Sequence, residues 1–385
     1  MMKYCIKLGE SQMKPQAADL FAGAGGITQA LKNAGFGITM AVEINPVFAQ
    51  SYRLNHCRAE LGEKDYLIEK DIRKISYQQL EQFRNTLPGG ELDLLAGCPP
   101  CQGFSKQMKY KRGSITDKRN YLTFSIMKFV KVLKPKYIFL ENVPGFADSI
   151  IWQKIKKLLH TGPRGYPKYK IRYEIVDAAS LGVPQRRRRF VLVCKRLDLC
   201  KNSNLEDITE IPFPQFRDKP VTLGEYFAKF DLPQPLPLDK APTDELHKHS
   251  RLGEINLLRL KHTPEGKGRE SWPEHDPETG KRLWLKCHDN SKIGYADVYG
   301  RMSFNSVAPT LTGGCLNISK GRFAHPVENR PITAREAALI QTFPIDYKFV
   351  GTWGEIGLQI GNAVPVKMGE AFFAAIMDDI RGMNS

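Results

Sequence analysis

Short apolar runs recur through the first half of the chain and alternate with longer stretches in which apolar residues follow a helical spacing. The short runs predict buried strands, and the longer stretches predict amphipathic helices. Strands are predicted to end near residues 21, 42, 70, 96, 140, 177 and 193, and helices are predicted over 27–33, 121–133 and 150–160. This alternation predicts an α/β fold with a doubly wound, mostly parallel sheet.

The pattern becomes irregular over about 195–325, where prolines cluster among scattered aromatic residues. Because the aromatic residues and short strand-like runs persist, this segment predicts a second, loop-rich domain rather than disorder. Regular patterns return with Thr333 and Glu336, whose spacing is that of a capping box at the start of a helix that runs to Gln341. A last amphipathic helix is predicted over 366–380, directly after a proline that suits its first turn.

The charge balance indicates which kind of partner the protein binds. Its 57 Lys and Arg residues against 41 Asp and Glu residues give a formal net charge of +16. Soluble proteins this basic commonly bind polyanions, so nucleic acid is the first candidate partner. A merely basic, well-solvated surface is the alternative.

The cysteines and the amino terminus indicate where the protein resides. The eight cysteines show no spacing typical of a disulfide framework, which fits a reducing compartment. The amino terminus lacks the apolar core of a signal peptide, and no apolar run approaches the roughly 18 residues of a membrane span. We therefore expect a cytoplasmic protein with no membrane partner. A monomer is expected, because two domain cores account for the apolar content.

A glycine-rich turn follows the first predicted strand. Gly23, Gly25 and Gly26 precede a helical pattern, and glycines in such a turn let a cofactor approach the backbone and the amino terminus of the helix. Glu43 ends the second predicted strand 17 residues after Gly26, where a carboxylate can bind both ribose hydroxyls of a nucleoside. A surface acid at a strand end is the alternative for Glu43. The spacing favours a nucleoside-binding fold.

A cysteine motif follows the fourth predicted strand. Residues 97–105 read Gly-Cys-Pro-Pro-Cys-Gln-Gly-Phe-Ser, and Cys101 would stand at the carboxyl edge of the sheet, where open α/β sheets bind ligands. The two prolines before Cys101 favour a rigid, non-helical presentation of its thiol. The alternatives are a zinc half-site, a redox pair with Cys98 and two buried structural cysteines. The sequence holds no second metal-ligand pair of standard spacing, so no metal is expected.

Three further segments carry polar side chains that could reach the same edge. A basic, glycine-containing stretch over 106–120 indicates either a loop that closes over phosphates or an ordinary solvated loop. Glu141 follows an apolar run, so burial should raise its pKa and suit it to act as a general acid. Gln185, Arg187 and Arg189 alternate into an apolar strand and therefore share one face. Either the two arginines point into the site, or the basic run forms a solvated or phosphate-binding patch.

Taken in this order, the motifs resemble those of the DNA (cytosine-5) methyltransferase family. The resemblance implies a Rossmann-like, S-adenosylmethionine-dependent catalytic domain built from 1–195 and 355–385. It also implies a smaller target-recognition domain over 196–354, with its variable part at about 196–325. The implied catalytic residues are Cys101, Glu141, Arg187 and Arg189. The implied cofactor contacts are Phe21, Gly23, Gly25, Gly26, Glu43, Ile44, Asp71, Ile72, Pro100, Asn362 and Val364. The implied DNA contacts are Gln102, Ser105, Lys106, Arg112, Gln185, Thr310 and Leu311.

The resemblance also implies the chemistry. A Cys101 thiolate that adds to carbon 6 of cytosine makes carbon 5 nucleophilic enough to take a methyl group from a sulfonium. A protonated Glu141 at ring nitrogen 3 and Arg189 near the ring carbonyl would neutralise the charge that develops, with Arg187 orienting the acid. The target base must leave the duplex, since carbon 6 is inaccessible within it.

The implied substrate is a specific sequence in double-stranded DNA, and the expected setting is a restriction-modification system with a cognate endonuclease. A transfer-RNA cytosine methyltransferase of the same family is the first alternative, and a recognition segment of about 130 residues argues against it. A catalytically silent DNA-binding module and a nicotinamide-dependent reductase are alternatives from other classes. Intact Cys101 and Glu141 argue against the binding module, and the departure from the G-x-G-x-x-G pattern argues against the reductase.

Overall fold

The structure, a computed structural model, describes residues 14–58, 62–100, 122–240, 244–286 and 297–383. Within these ranges, seven strands form one sheet in the order β3-β2-β1-β4-β5-β7-β6. The strands are β1 (Gln16–Leu20), β2 (Gly37–Glu43), β3 (Leu67–Glu69), β4 (Leu94–Gly97), β5 (Tyr137–Asn142), β6 (Tyr169–Asp177) and β7 (Arg188–Arg196). Each apolar run that predicted a strand is part of this sheet.

The direction of the strands decides which side chains meet. All neighbouring pairs are parallel except those of β7, which pairs antiparallel with β5 and with β6. The mostly parallel sheet expected from the sequence is therefore confirmed. Because parallel strands end at the same edge, Glu43 on β2, Gly97 on β4 and Glu141 on β5 lie along one edge. The antiparallel β7 begins at that edge, which brings Arg189 beside the end of β5.

Helices cover both faces of the sheet. The helices of the described ranges are α1 (Gly26–Asn33), α2 (Pro46–His56), α3 (Tyr77–Asn85), α4 (Leu122–Leu133), α5 (Ile150–Thr161), α6 (Leu223–Phe227), α7 (Glu254–Lys261), α8 (Ala334–Ile340), α9 (Trp353–Asn362) and α10 (Val366–Met383). On β5, Phe139 packs in a cluster with α1 and α10, whereas its neighbour Ile138 packs in a second cluster with α4 and α5. The ring of Phe139 lies 5.5 Å from that of Phe372 and 4.9 Å from that of Phe373, so α10 packs directly on the sheet. None of the helices in the described ranges is long and apolar enough to cross a membrane.

Helices α8 and α9 both begin with capping boxes. At α8 the hydroxyl of Thr333 accepts a hydrogen bond from the backbone amide of Glu336, whose carboxylate accepts one from the amide of Thr333. This is the capping box that the sequence predicts. The apolar pattern does not predict α9, because glycines interrupt it and lower the helix propensity. Thr352 and Glu355 nevertheless form the same capping box at its start, which is the local signal for this helix.

Between β7 and α8 the described chain contains short regular elements joined by long loops. These elements are α6, α7 and the two-residue strands β8 (Leu236–Pro237) and β9 (Lys248–His249), which pair in parallel. Buried residues of this region, such as Leu223, Leu246 and Met302, belong to the same hydrophobic cluster as β1 and α10. The loop-rich region therefore packs on the sheet through a shared core. The domain boundaries near 195 and 354 stay a prediction.

Candidate active site

The edge at which the parallel strands end borders a cavity of about 590 Å³. Its wall brings together most of the described residues that the sequence predicts for the site. They are Phe21, Gly23, Gly26, Glu43, Ile44, Asp71, Ile72, Pro100, Glu141, Arg187, Arg189, Thr310, Leu311, Asn362 and Val364. The two that do not line this cavity are Gly25 and Gln185. The predictions for Cys101, Gln102, Ser105, Lys106 and Arg112 lie outside the described residues.

The turn between β1 and α1 forms one side of the cavity. Gly23 and Gly25 have φ angles of +56° and +99°, in the left-handed region that favours glycine. A Cβ atom added to Gly26 would lie 3.0 Å from the carbonyl oxygen of Val364, so this glycine permits close packing against the segment after α9. At Gly23 an added Cβ would meet no described atom within 4 Å, which leaves open space before the turn. The glycines therefore allow both the turn and its approach to a ligand.

Glu43 anchors the turn and faces the cavity. Its Oε2 accepts a hydrogen bond from the amide of Gly23 (2.8 Å), and its Oε1 accepts bonds from the amides of Ile44 (2.9 Å) and Asn45 (2.7 Å). Burial raises the pKa of Glu43, and these three amides oppose that rise. Carboxylate oxygens carry more than one lone pair, so Glu43 can accept further bonds from ligand hydroxyls. Ile44 is 61% exposed and offers an apolar surface beside this acid, a combination that suits a nucleoside.

Asp71 and Ile72 follow β3 and lie farther along the same wall. Arg73 binds both carboxylate oxygens of Asp71, with 2.6 Å between Nη2 and Oδ2. The hydrogen bond from the Arg73 side chain lowers the pKa of Asp71. The side chain of Ile72 is buried, although the residue borders the cavity. Asp71 thus has a partner within its own turn, and the contact of these two residues with an adenine stays a prediction.

Glu141 ends β5 on the opposite wall and is 3% exposed. Its Oε1 lies 2.9 Å from Nε of Arg189, the second residue of the antiparallel neighbour strand β7. Its Oε2 accepts a hydrogen bond from the thiol of Cys98, the residue that follows β4, at 2.9 Å. A buried carboxylate of this kind is stable only with such partners. The arrangement places an acid, a guanidinium and a thiol together, with the acid and the guanidinium both lining the cavity.

Hydrogen bonds from the side chains of Arg187 and Gln185 connect three segments of the chain beside the cavity. Nη1 of Arg187 donates to the carbonyl of Leu311 (3.0 Å) and to that of Gly361 (3.1 Å). The side-chain amide of Gln185 accepts a bond from the amide of Leu311 (3.0 Å) and donates to Oε1 of Gln341 (2.8 Å). Gln185 is fully buried and Arg187 is 3% exposed. These contacts hold the loop that contains Thr310 against the end of α9, and the predicted DNA contact of Gln185 stays a prediction.

Gly361 shows how tightly these segments approach. A Cβ added to Gly361 would lie 2.1 Å from the carbonyl oxygen of Thr312 and 2.6 Å from the amide nitrogen of Gly313. Gly361→Ala must therefore move backbone, and we expect it to lower the free energy of unfolding by about 1–3 kcal/mol and to reduce activity. Gly354 lies in the same helix with no atom within 4 Å of an added Cβ, so Gly354→Ala is the matched control. Denaturant unfolding checks this, and equal stability of the two variants would contradict the packing argument.

Four residues near the cavity were not assigned a role from the sequence. Cys98 is visible in the cysteine motif, but only the fold brings its thiol to Glu141. Gln341 ends a predicted helix, and its side chain donates to the carbonyl of Ile360 at 2.6 Å. His56 and Tyr347 contact the glycine turn from behind, although 291 positions separate them in the chain. No local pattern marks these contacts, because each joins segments that are distant in sequence.

The strand order, the glycine turn and the acid at the end of β2 together define a Rossmann-like methyltransferase. The same fold occurs in the methyltransferase EhMeth of Entamoeba histolytica, with a TM-score of 0.64 and 18% identity over 96% of this chain and 99% of that chain. A family model described as C-5 cytosine-specific DNA methylase matches residues 16–378. The chain belongs to this family, as its motifs indicate. Membership implies S-adenosylmethionine as the methyl donor.

Two curated relatives extend along nearly the whole chain. The type II methylase M.HgiDII of Herpetosiphon aurantiacus is 30% identical over 375 residues, which cover 95% of this chain and 96% of the relative. The type II methyltransferase M.PspPI of Psychrobacter sp. (strain TA137) is 33% identical over 377 residues, which cover 93% of this chain and 78% of the relative. The chain is similar to both throughout its catalytic and loop-rich parts.

Proposed function

We propose that this protein transfers a methyl group from S-adenosylmethionine to carbon 5 of cytosine in duplex DNA, as the modification enzyme of a type II restriction-modification system. The observation that carries this proposal is the pair formed by the buried Glu141 and the partly buried Arg189, which faces the same cavity as the glycine turn and Glu43. The names of the relatives favour DNA over transfer RNA as the substrate. A cognate endonuclease and a monomeric state are part of the proposal.

The cofactor is proposed to lie between the glycine turn and the segment after α9. Its sulfonium supplies an electrophilic methyl group when it is bound. Glu43 would accept hydrogen bonds from the ribose hydroxyls, and Ile44 would cover an apolar face of the nucleoside. Phe21, Asn362 and Val364 complete the proposed binding surface. The residues present fit this group, because an acid with spare lone pairs adjoins an exposed apolar side chain and open space at Gly23.

Cys101 is proposed as the nucleophile. Its thiolate adds to carbon 6 of the cytosine ring, and this addition gives carbon 5 the electron density that it needs to accept a methyl group. The proton on carbon 5 then passes to solvent as the Cys101 thiolate is eliminated, which restores the aromatic ring. The reaction needs no metal ion.

Glu141 and Arg189 are proposed to stabilise the ring while the thiolate is attached. A proton held on Glu141 would be shared with ring nitrogen 3, where negative charge develops during the addition. Arg189 lies 2.9 Å from Oε1 of Glu141, so it can orient the acid and reach toward the carbonyl oxygen of the ring. Arg187 is proposed to act differently from this pair. Its contacts with Leu311 and Gly361 support a role in holding the cavity together.

The loop-rich region is proposed to read the DNA. The net charge of +16 supports contacts with phosphates, which must offset the few kcal/mol that flipping a base costs. Thr310 and Leu311 belong to the loop-rich region and line the cavity. They are proposed to contact the DNA near the flipped base. Gln102, Ser105, Lys106 and Arg112 are proposed DNA contacts from the segment after Cys101.

The proposed activity is tested by following a labelled methyl group from S-adenosylmethionine into purified nucleic acids. Duplex DNA of mixed sequence and bulk transfer RNA are assayed in parallel, with EDTA present because the proposed reaction uses no metal ion. Label in DNA, mapped by sequencing to cytosines of one short motif, is the expected result. Label in transfer RNA alone, or loss of transfer when EDTA is added, would contradict the proposal.

Loss of the hydrogen bond between Cys98 and Glu141 is expected to lower the rate of methyl transfer moderately. Cys98→Ala removes the donor to Oε2, so we expect kcat to fall about threefold to tenfold through poorer positioning of the acid. Cys98→Ser keeps a donor and is expected to recover most of the rate. Initial rates at saturating DNA and cofactor, with thermal unfolding as the control for folding, check this. Identical rates for the two variants would show that the hydrogen bond does not matter.

A further inference from the structure

A pair of buried polar side chains lies behind the glycine turn, and the proposed reaction does not use it. His56 ends α2, and Tyr347 belongs to the segment between α8 and α9. The hydroxyl of Tyr347 donates to the carbonyl of Ala24 at 2.6 Å. Nε2 of His56 lies 3.1 Å from the carbonyl oxygen of Gly25 and 2.8 Å from the Tyr347 hydroxyl. Two consecutive carbonyls of the turn are therefore held from the side away from the cavity.

The direction of these hydrogen bonds follows from their partners. A carbonyl oxygen can only accept, so Nε2 of His56 must carry the proton that faces Gly25. The hydroxyl hydrogen of Tyr347 points to Ala24, which leaves its oxygen to accept from the same Nε2. Burial lowers the pKa of His56 to about 3, so the ring is neutral at physiological pH. The pair therefore acts as a fixed set of donors.

The close packing of His56 and Tyr347 against Gly25 supports the same arrangement. A Cβ added to Gly25 would lie 2.4 Å from Nε2 of His56 and 2.8 Å from the Tyr347 hydroxyl. Gly25 does not line the cavity, whereas Gly23, Ala24 and Gly26 do. The turn is thus packed from behind by these two side chains, and the residues on both sides of Gly25 face the cavity.

The segment that carries Tyr347 is itself anchored to α2. The side-chain amide of Asn55 donates to the carbonyl of Lys348 (2.8 Å) and accepts from the amide of Lys348 (3.0 Å). The hydroxyl of Ser51 accepts from the amide of Val350 at 3.0 Å. A side chain whose backbone is held in this way is preorganised for its contact. The position of Tyr347 is therefore fixed by contacts within the protein.

We propose that Tyr347 and His56 are positioning residues for the cofactor, which hold the Ala24 and Gly25 carbonyls so that the glycine turn keeps its binding shape. This inference rests on the proposed function, because it takes S-adenosylmethionine as the occupant of the cavity. Neither side chain contacts the cofactor under this proposal. Loss of the Tyr347 hydroxyl relaxes the turn and weakens cofactor binding, whereas the chemical step at saturating cofactor is retained.

The test is Tyr347→Phe, which removes one hydroxyl and keeps the ring. Tyr52→Phe is the matched control, because Tyr52 is equally buried and its hydroxyl lies 2.9 Å from that of Thr28 rather than from the turn carbonyls. Calorimetric titration of the full chain with S-adenosylhomocysteine gives the Kd. We expect Tyr347→Phe to raise the Kd about fivefold to tenfold and Tyr52→Phe to change it less than about twofold.

Kinetics and unfolding separate positioning from general stability. For Tyr347→Phe we expect the KM for S-adenosylmethionine to rise as the Kd does, with kcat and the KM for DNA unchanged. Equal Kd values for Tyr347→Phe and wild type, or an equal loss in both variants, would overturn the inference. If the wild type itself does not bind S-adenosylhomocysteine, the proposed function fails instead. Thermal unfolding of each variant verifies that the folded protein was titrated.

Discussion

Cys101→Ser is expected to reduce methyl transfer to DNA by at least about three orders of magnitude. A serine hydroxyl has a pKa far above that of a thiol and no base is proposed to activate it, so addition to carbon 6 would almost cease. Cofactor binding should stay within about twofold of the wild type, because the thiol is proposed to attack the base and not to hold the cofactor. Tritium-labelled methyl incorporation measures the rate, and calorimetry with S-adenosylhomocysteine measures the affinity.

The control for this substitution is a thiol away from the cavity. Cys200 follows β7, is partly buried and donates weakly to the carbonyl of Arg196, so Cys200→Ser makes the same chemical change at a distance. Its activity is expected to match the wild type. The wild type should form a covalent complex with DNA that contains 5-fluorocytosine, and Cys101→Ser should not. Fluorine at carbon 5 cannot leave as a proton does, so the thiolate is not eliminated and stays bonded to the ring. Methyl transfer by Cys101→Ser within tenfold of the wild type would contradict the nucleophile assignment.

Glu141→Gln is expected to lower the rate of methyl transfer by about 100-fold or more. Glutamine can still donate a hydrogen bond to ring nitrogen 3, but it cannot transfer a proton to it. The substitution also leaves the guanidinium of Arg189 without the carboxylate that lies 2.9 Å from its Nε, which disturbs a second stabilising group. Single-turnover assays with saturating cofactor isolate the chemical step from product release.

Glu174→Gln is the control for the charge change. Glu174 is a partly exposed carboxylate on β6 that pairs with Arg172 at 2.7 Å, so its loss removes an ion pair without touching the cavity. We expect normal rates for Glu174→Gln, since exposed pairs contribute little. If Glu141→Gln kept more than about a tenth of the wild-type rate, proton transfer by this side chain would be ruled out as a major part of catalysis.

Much of the fold follows from local pattern. The apolar runs over 39–42 and 137–140 lie within β2 and β5, and the acids that follow them, Glu43 and Glu141, lie at the same sheet edge as expected. A strand that ends in a polar residue is a local signal, and parallel pairing then brings such ends together. Helix α9 escaped prediction because its glycines break the apolar spacing, although a capping box marks its start.

The alternating arginines show what a local pattern cannot predict, namely the partner of each side chain. Strand alternation predicts that Arg187 and Arg189 share a face, and both line the cavity. Yet Arg189 pairs with Glu141, whereas the guanidinium of Arg187 bonds to the carbonyls of Leu311 and Gly361. Their different partners depend on how the loop at 310–313 and the end of α9 pack against β7. Neither segment is close to the arginines in sequence.

The class of fold and the positions of the acids Glu43 and Glu141 at strand ends followed from the sequence, because each depends on short-range order along the chain. The methyltransferase family followed from the resemblance that the ordered motifs carry. Contacts between distant segments came from the tertiary structure alone: the Cys98 thiol reaches Glu141, and His56 and Tyr347 hold the glycine turn. A side-chain hydrogen bond forms only when donor and acceptor come within about 3 Å in the right direction. For residues far apart in the chain, that distance is set by the packing of whole elements, which no local pattern encodes.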